Sequence, residues 1–246
     1  MSDPLNRLRS LGLRLSHEAL SALVAEAEKS SLSPLDLLAR LADDESKERA
    51  GRNLARRTKL ATLGSFATLD RFDWNHPRSL DRSTYDQLLS LDFVGRAENV
   101  LLRGPSGVGK TTLAQNLALR ALQQGLCVRF CTLAAALADL LRQESVPALE
   151  RRLKRYTLPH LLVLDELGYL PSDARSADLL YNLVSRRHEL RSIVVTTNLA
   201  FKQWPSVFPG AACVAALVDR FAQHCHVLDI DADSWRQKTS LRHASK

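Results

Sequence analysis

With 246 residues, of which 45% are hydrophobic and 25% charged, the chain has enough apolar material for a sizeable core, so neither disulfides nor a structural metal is needed to hold it together. The formal net charge of +7 favours an acidic partner such as nucleic acid, although the position of the charge matters more than its total. No apolar run approaches the roughly 18–20 residues of a membrane helix, the opening MSDPLNRLRSLGLRL lacks a secretion-type apolar stretch, and Cys127, Cys131, Cys213 and Cys225 form no C-x-x-C pair, so a soluble cytoplasmic protein with reduced, mostly buried thiols is expected.

Two or three helices open the chain. Leu20, Leu23, Val24 and Ala27 recur at helical spacing. Ser33-Pro34-Leu35-Asp36 reads as a second helix start: serine caps free amides, proline suits the first helical position, and aspartate favours the positive dipole end. Leu37, Leu38 and Leu41 give that helix an apolar face, and helical character continues to about Leu60, with Gly64 as terminator. The segment from Phe66 to about Pro77 breaks the pattern and reads as an irregular linker. A short helix is expected over Thr84–Leu91. From Asn99 onward, short apolar runs alternate with helical stretches: Val100–Leu102, Cys127–Cys131, Leu161–Leu164, Ile193–Thr197 and His226–Ile230. That alternation is how a mostly parallel sheet covered on both faces appears in sequence. The expected division is an all-α N-terminal domain, 1–62, followed by an α/β domain, 63–246.

Within the α/β part, NVLLRGPSGVGKTTLAQNLAL is a strand, a G-x-x-x-x-G-K-T loop and an amphipathic helix. In the loop Gly104-Pro105-Ser106-Gly107-Val108-Gly109, the glycines permit the backbone angles that turn successive amides around a triphosphate. Lys110 adds a point charge for the β- and γ-phosphates, Thr111 offers a hydroxyl to Mg²⁺, and the helix carrying Thr112 turns its positive end to the anion. ATP with Mg²⁺ is the expected ligand. Downstream, His160-Leu161-Leu162-Val163-Leu164-Asp165-Glu166 places two acids at the end of a buried strand. Ligands of open α/β sheets sit beyond the carboxyl ends of strands, so both acids should emerge beside the loop. Asp165 is suited to hold Mg²⁺ through its water shell, and Glu166 to polarise an attacking water.

GPSGVGKTTLA, LLVLDELGYLP, VVTTNLAFKQWPSVF and ALVDRFAQHCHVLDIDADSWR, taken in order, resemble the IstB/DnaC-like AAA+ ATPases, which include IS21-type transposition helpers and replicative helicase loaders. The stretch DELGYLP together with NLAFKQW leans towards the transposition helpers; a helicase loader is the alternative. The resemblance implies an AAA+ fold of strand order 5-1-4-3-2, homo-oligomers with ATP at subunit interfaces, assembly on duplex DNA, and a transposase as partner. By the same resemblance Asn198 corresponds to the sensor-1 polar residue, Arg220 to an arginine finger acting on a neighbouring subunit's ATP, and Arg236 to a sensor-2-like arginine. Thr112 departs from the histidine common among the helpers, and little sequence follows Arg236, which weakens a sensor-2 role within one subunit.

Two basic segments are candidate DNA contacts. Arg49, Arg52, Arg56 and Lys59 follow 3-4-3 spacing and share one helix face, as a stripe along a phosphate backbone would require; a solvated helix face has the same pattern. Arg151, Arg152, Lys154 and Arg155 form the second cluster. His224-Cys225-His226 lacks further ligands at metal spacing and reads as packing, as do Trp74, Trp204 and Trp235.

Overall fold

The computed structural model describes residues 4–169 and 173–235. The chain divides into two compact units, 1–56 and 57–246.

The first unit is helical: α1 (Pro4–Ser10), α2 (His17–Lys29) and most of α3 (Pro34–Ala61). Ser16 caps α2 by accepting the Ala19 N–H at 3.1 Å, and Ser33 caps α3 by accepting that of Asp36 at 3.1 Å. Leu15, Leu20 and Leu23 are buried. The apolar face expected on α3 is thin, because Leu37 and Leu41 are only partly buried and Leu38 is 61% exposed. A polar tie supplements it: Glu45 of α3 accepts the backbone N–H groups of Arg14 and Leu15 at 2.8 and 3.0 Å. Those bonds, the Arg14 amide first, hold its carboxyl below the usual range.

The second unit begins with the end of α3, which stops where Thr62 (φ +60°) and Gly64 (φ +68°) turn left-handed. The linker after it contains one 3₁₀ turn, Leu69–Arg71. Next come β1 (Ser79–Leu80), α4 (Arg82–Leu88) and α5 (Asp92–Gly95). The helix expected at 84–91 therefore starts earlier and ends sooner. Asp81 caps it, accepting the Thr84 N–H at 3.0 Å, and Leu91 at φ +68° breaks it.

From there strands and helices alternate as expected: β2 (Asn99–Arg103), α6 (Lys110–Gln123), β3 (Val128–Thr132), α7 (Leu133–Leu141), α8 (Val146–Thr157), β4 (Leu161–Leu167), α9 (Ala174–Arg187), β5 (Ser192–Thr197), α10 (Trp204–Val207), α11 (Val214–Ala222) and β6 (Cys225–Asp231). The six-stranded sheet has the order β1-β6-β2-β5-β4-β3, with β1 antiparallel to β6 and every other pairing parallel. Counting only the parallel strands, that order is the expected 5-1-4-3-2; the short edge strand β1 is the addition. Because helices cover the sheet on both sides, the central strands are buried throughout: Val100 to Leu102, Leu161 to Leu164 and Ile193 to Val195 are at most 2% exposed. Each such side chain contributes about 1.5–3 kcal/mol relative to exposure.

Arg187, at the end of α9, is fully buried and has no carboxylate partner among the described residues. It donates to five backbone carbonyls, those of Tyr156, Thr157, Pro159, His160 and Ser192, at 2.6–3.2 Å. Burial lowers its pKa to about 9, which leaves it charged at neutral pH. The guanidinium thus ties the end of α8 to the amino ends of β4 and β5, at the end of the sheet opposite the carboxylate pair.

The cysteines differ from expectation. All four are free, but Cys127 is exposed and the others are only partly buried. Burial still raises Cys131 to about 11 and Cys225 to about 12, so neither thiol ionises at neutral pH. No helix among the described residues is long and apolar enough to cross a membrane.

Candidate active site

At the carboxyl ends of the parallel strands, a cleft of about 220 Å³ is lined by the phosphate loop from Ser106 to Thr112, by Glu166, Tyr169 and Thr196, and by linker and C-terminal residues. The loop is shaped by its neighbours as much as by its glycines. A Cβ on Gly104 would collide with the Ile230 carbonyl of β6, and one on Gly109, at φ +98°, would lie 2.7 Å from the ring of Phe72. Lys110 opens α6 and is only 6% exposed. Its ammonium donates to the carbonyls of Gly104 and Pro105 at 2.8 and 2.6 Å, so it bridges the loop from within.

Beside the loop, the strand end is irregular. The β4–β5 register shifts between Leu164 and Leu167, and Glu166 takes φ +64°. That conformation costs an L-residue about 1–2 kcal/mol. The two acids differ in exposure: Asp165 is 4% exposed, whereas Glu166 is exposed in the cleft. Asp165 Oδ1 accepts the Thr111 hydroxyl at 3.0 Å and the Thr196 hydroxyl, and Thr196 Oγ1 in turn accepts the Glu166 N–H at 2.9 Å. A hydroxyl and a carboxylate in hydrogen-bonded contact beside the loop are hard oxygen donors suited to Mg²⁺, and the buried lysine within the loop suits a phosphate chain, so these residues fit ATP with Mg²⁺.

The far wall comes from segments distant in sequence from the phosphate loop. Ala67, Arg71, Phe72, Asp73 and His76 of the irregular linker line the cleft, and so does Trp235. The ring of His76 packs edge-on against that of Trp235 at 4.8 Å, and the Trp235 backbone N–H donates to the Gly107 carbonyl at 3.0 Å. Trp74 and Trp204 are packing residues, as expected: Trp74 sits between Phe72 and Tyr85 with the Arg82 guanidinium 4.6 Å from its ring, and Trp204 is 1% exposed.

Other predicted residues lie elsewhere. Asn198 is exposed and faces a neighbouring hollow with Arg103 and Gly104. β5 ends at Thr197, whose hydroxyl donates to the Leu167 carbonyl at 2.8 Å and accepts the Leu199 N–H at 3.0 Å, turning the chain there. The residue of β5 that lines the cleft is Thr196. Sequence reasoning missed it, although a hydroxyl at the buried end of a strand was the available signal. Arg220 of α11 is outside the cleft lining; it donates to Ser185 and stacks 4.9 Å from the Tyr181 ring, both on α9. Arg236 lies outside the described residues.

The basic segments are unevenly available. Arg49 pairs with Glu45 at 3.4 Å, and Arg52 with Glu45 and Glu48 at 3.3 and 3.4 Å, whereas Arg56 and Lys59 are exposed and make no ion pair among the described residues. In the second cluster Arg152 is bound to Asp139 through two hydrogen bonds, and Tyr156 shares that carboxylate. Burial alone would raise the pKa of Asp139, but Arg152 and Tyr156 outweigh it and the net shift is downward. Arg151, Lys154 and Arg155 lie on the same helix, with Lys154 and Arg155 exposed and Arg151 at its solvent side. His226 pairs with Glu98 at 2.7 Å, and no group of metal-ligating side chains occurs among the described residues.

A family model described as IstB-like ATP binding protein matches residues 6–243. A protein of Pseudomonas aeruginosa, named as a putative ATP-binding protein of insertion sequence IS21, is 36% identical over 238 residues, which cover 95% of this chain and 90% of that protein. Among solved structures, DnaI superposes with a TM-score of 0.57 at 20% identity, covering 68% of this chain and 92% of DnaI. AMPPCP-bound DnaA of Aquifex aeolicus gives a TM-score of 0.59 at 19% identity, with 72% of this chain and 54% of that one covered. At those identities the structural likeness speaks for the AAA+ fold alone. With the phosphate loop, the carboxylate pair and the sheet order in place, and the family model spanning nearly the whole length, the chain belongs to the IstB-like ATP-binding proteins.

Proposed function

We propose that this protein is an ATPase that assembles on duplex DNA with ATP bound and assists the transposase of its insertion sequence, hydrolysis controlling release. The observation that carries the chemistry is that Lys110, Thr111 and Glu166 line one cleft at the carboxyl ends of the strands, with Asp165 held against the Thr111 hydroxyl behind them. Residues 104–112 cradle the phosphates, with Lys110 neutralising their charge. Thr111 and Asp165 hold Mg²⁺, which when bound offsets charge on the phosphate oxygens. Glu166, exposed in the cleft, takes a proton from the water that attacks the γ-phosphorus; the bond to the β-phosphate oxygen breaks, leaving ADP and phosphate. Asn198 orients that water once the site closes, Arg236 contacts nucleotide, and Arg220 reaches the nucleotide of an adjacent subunit, consistent with its place outside its own cleft. DNA contact is assigned to the exposed Arg56 and Lys59 together with the ion-paired Arg49 and Arg52 of the same helix, and to Arg151, Lys154 and Arg155 with Arg152, which is bound to Asp139. The name of the IS21 relative supports a transposition setting.

The test combines ATP turnover with sedimentation on duplex DNA. Glu166→Gln should bind ATP and assemble but hydrolyse at least about 100-fold more slowly, and its assemblies should outlive those of the wild type. Normal turnover by Glu166→Gln would reject the assignment of the base. Assembly on DNA that ignores nucleotide would reject the switch.

A further inference from the structure

Thr196 holds a position that the phosphate loop and the acidic pair do not account for. Its single hydroxyl is used twice: it donates to Asp165 Oδ1 and accepts the Glu166 N–H at 2.9 Å. The side chain is 1% exposed yet borders the cleft. Glu166 meanwhile sits at φ +64°, in the one stretch where the β4–β5 register shifts. A glutamate has no intrinsic reason to adopt that conformation. Asp165 and Glu166 are adjacent, and a regular strand would send them to opposite faces of the sheet, one of them away from the cleft. The left-handed turn at Glu166 brings both to the same mouth, and the bond that fixes its amide is the one to Thr196.

We infer that Thr196 is a positioning residue for hydrolysis: its hydroxyl locks the left-handed turn that aims Glu166 at the attacking water, while fixing the Asp165 carboxylate that faces Thr111. The inference rests on the proposed role of Glu166 as base and adds how that base is held. Ordinary strand packing would need only the shape of the side chain, which valine reproduces without the hydroxyl. Loss of the hydroxyl leaves the Glu166 amide unpartnered and frees Asp165 from one of its two donors. The backbone then relaxes from its left-handed conformation and the carboxylate swings off the water.

The experiment measures ATP turnover and the affinity for a fluorescent ATP analogue in full-length Thr196→Val, Thr196→Ala, Thr196→Ser, Glu166→Gln and the Thr196→Val/Glu166→Gln double variant, after melting curves confirm folding. The expected result is a kcat lowered about 10- to 100-fold in Thr196→Val and Thr196→Ala, with analogue affinity within about 3-fold of wild type. Thr196→Ser should recover most of the rate. The double variant should fall below Glu166→Gln by much less than Thr196→Val falls below wild type, because the part of the effect that runs through the base has nothing left to act on and only the hold on Asp165 remains to be lost. The inference is overturned by Thr196→Val and Thr196→Ala turning over within about 2-fold of wild type while Glu166→Gln is slow, by a rate loss that serine does not restore, or by an equal further loss in the Glu166→Gln background. Analogue affinity falling in step with kcat would mark Thr196 as merely structural and overturn it too. Normal turnover in Glu166→Gln is a separate failure, of the proposed base, and takes the inference with it. Should valine prevent folding, alanine and serine carry the comparison.

Discussion

Replacing Arg187 by methionine tests how a buried charge holds the nucleotide-binding unit together. Methionine keeps much of the stem volume and removes five donated bonds of 2.6–3.2 Å. Each buried carbonyl left without its donor costs about 1 kcal/mol net, so the gross loss is about 5 kcal/mol. Removing the guanidinium also removes its own cost of burial, which returns part of this, and the net loss should be about 3–4 kcal/mol. For a unit of this size each kcal/mol lowers Tm by about 2–4 °C, so a drop of roughly 10 °C is expected. Circular dichroism melts give the number directly, and Arg187→Lys, which keeps a charge but only one ammonium, should fall between the two. Analogue binding measured well below both midpoints should stay near wild type, because Arg187 grips the amino ends of β4 and β5 while the cleft lies at their carboxyl ends. A Tm within about 2 °C of wild type would refute the clamp.

Three other expectations follow from the same geometry. Arg220→Ala should bind the ATP analogue but hydrolyse slowly, and mixing it with Lys110→Ala protein, itself unable to bind ATP, should restore part of the activity through mixed interfaces; no recovery between subunits shown to exchange would end the trans assignment. Changing Arg49, Arg52, Arg56 and Lys59 together to glutamine should weaken binding to every duplex alike and make its salt dependence shallower, whereas an unchanged salt slope would return the stripe to the role of a solvated helix face. The hydrogen bonds from Arg96, then His226, hold Glu98 at about 2, below its ordinary 4.5. Since a depressed carboxyl pKa stabilises the fold above the unfolded value, Glu98→Gln should cost about 1 kcal/mol after solvent screening at pH 7, and the gap to wild type should close as pH falls from 4.5 towards 2. A gap that widened with acid in chemical-denaturation curves would contradict that sign.

The chain by itself determined the local features. Apolar runs of strand length alternating with helical stretches foretold the five parallel strands to within a residue or two at most ends, because burial on both faces leaves a continuous apolar signature. The phosphate loop was legible because its glycines, lysine and threonine act through one short stretch of backbone. The order of the strands came from likeness to a family, and periodicity alone does not encode it. What only the tertiary structure decided are the features made by residues distant in sequence. The linker around Phe72 and His76 reads as pattern-free, yet it forms a wall of the cleft with Trp235, since a wall needs shape and carries no period. Arg187 reads as one more charge on a basic helix until the ends of α8, β4 and β5 converge on it. Thr196 reads as a β-branched strand residue; its hydroxyl gains meaning only when β5 lies beside β4 and the register shift turns the Glu166 amide towards it. Sequence records what each residue prefers of its neighbours along the chain, and a hydrogen bond spanning 30 residues is specified only by the fold that closes it.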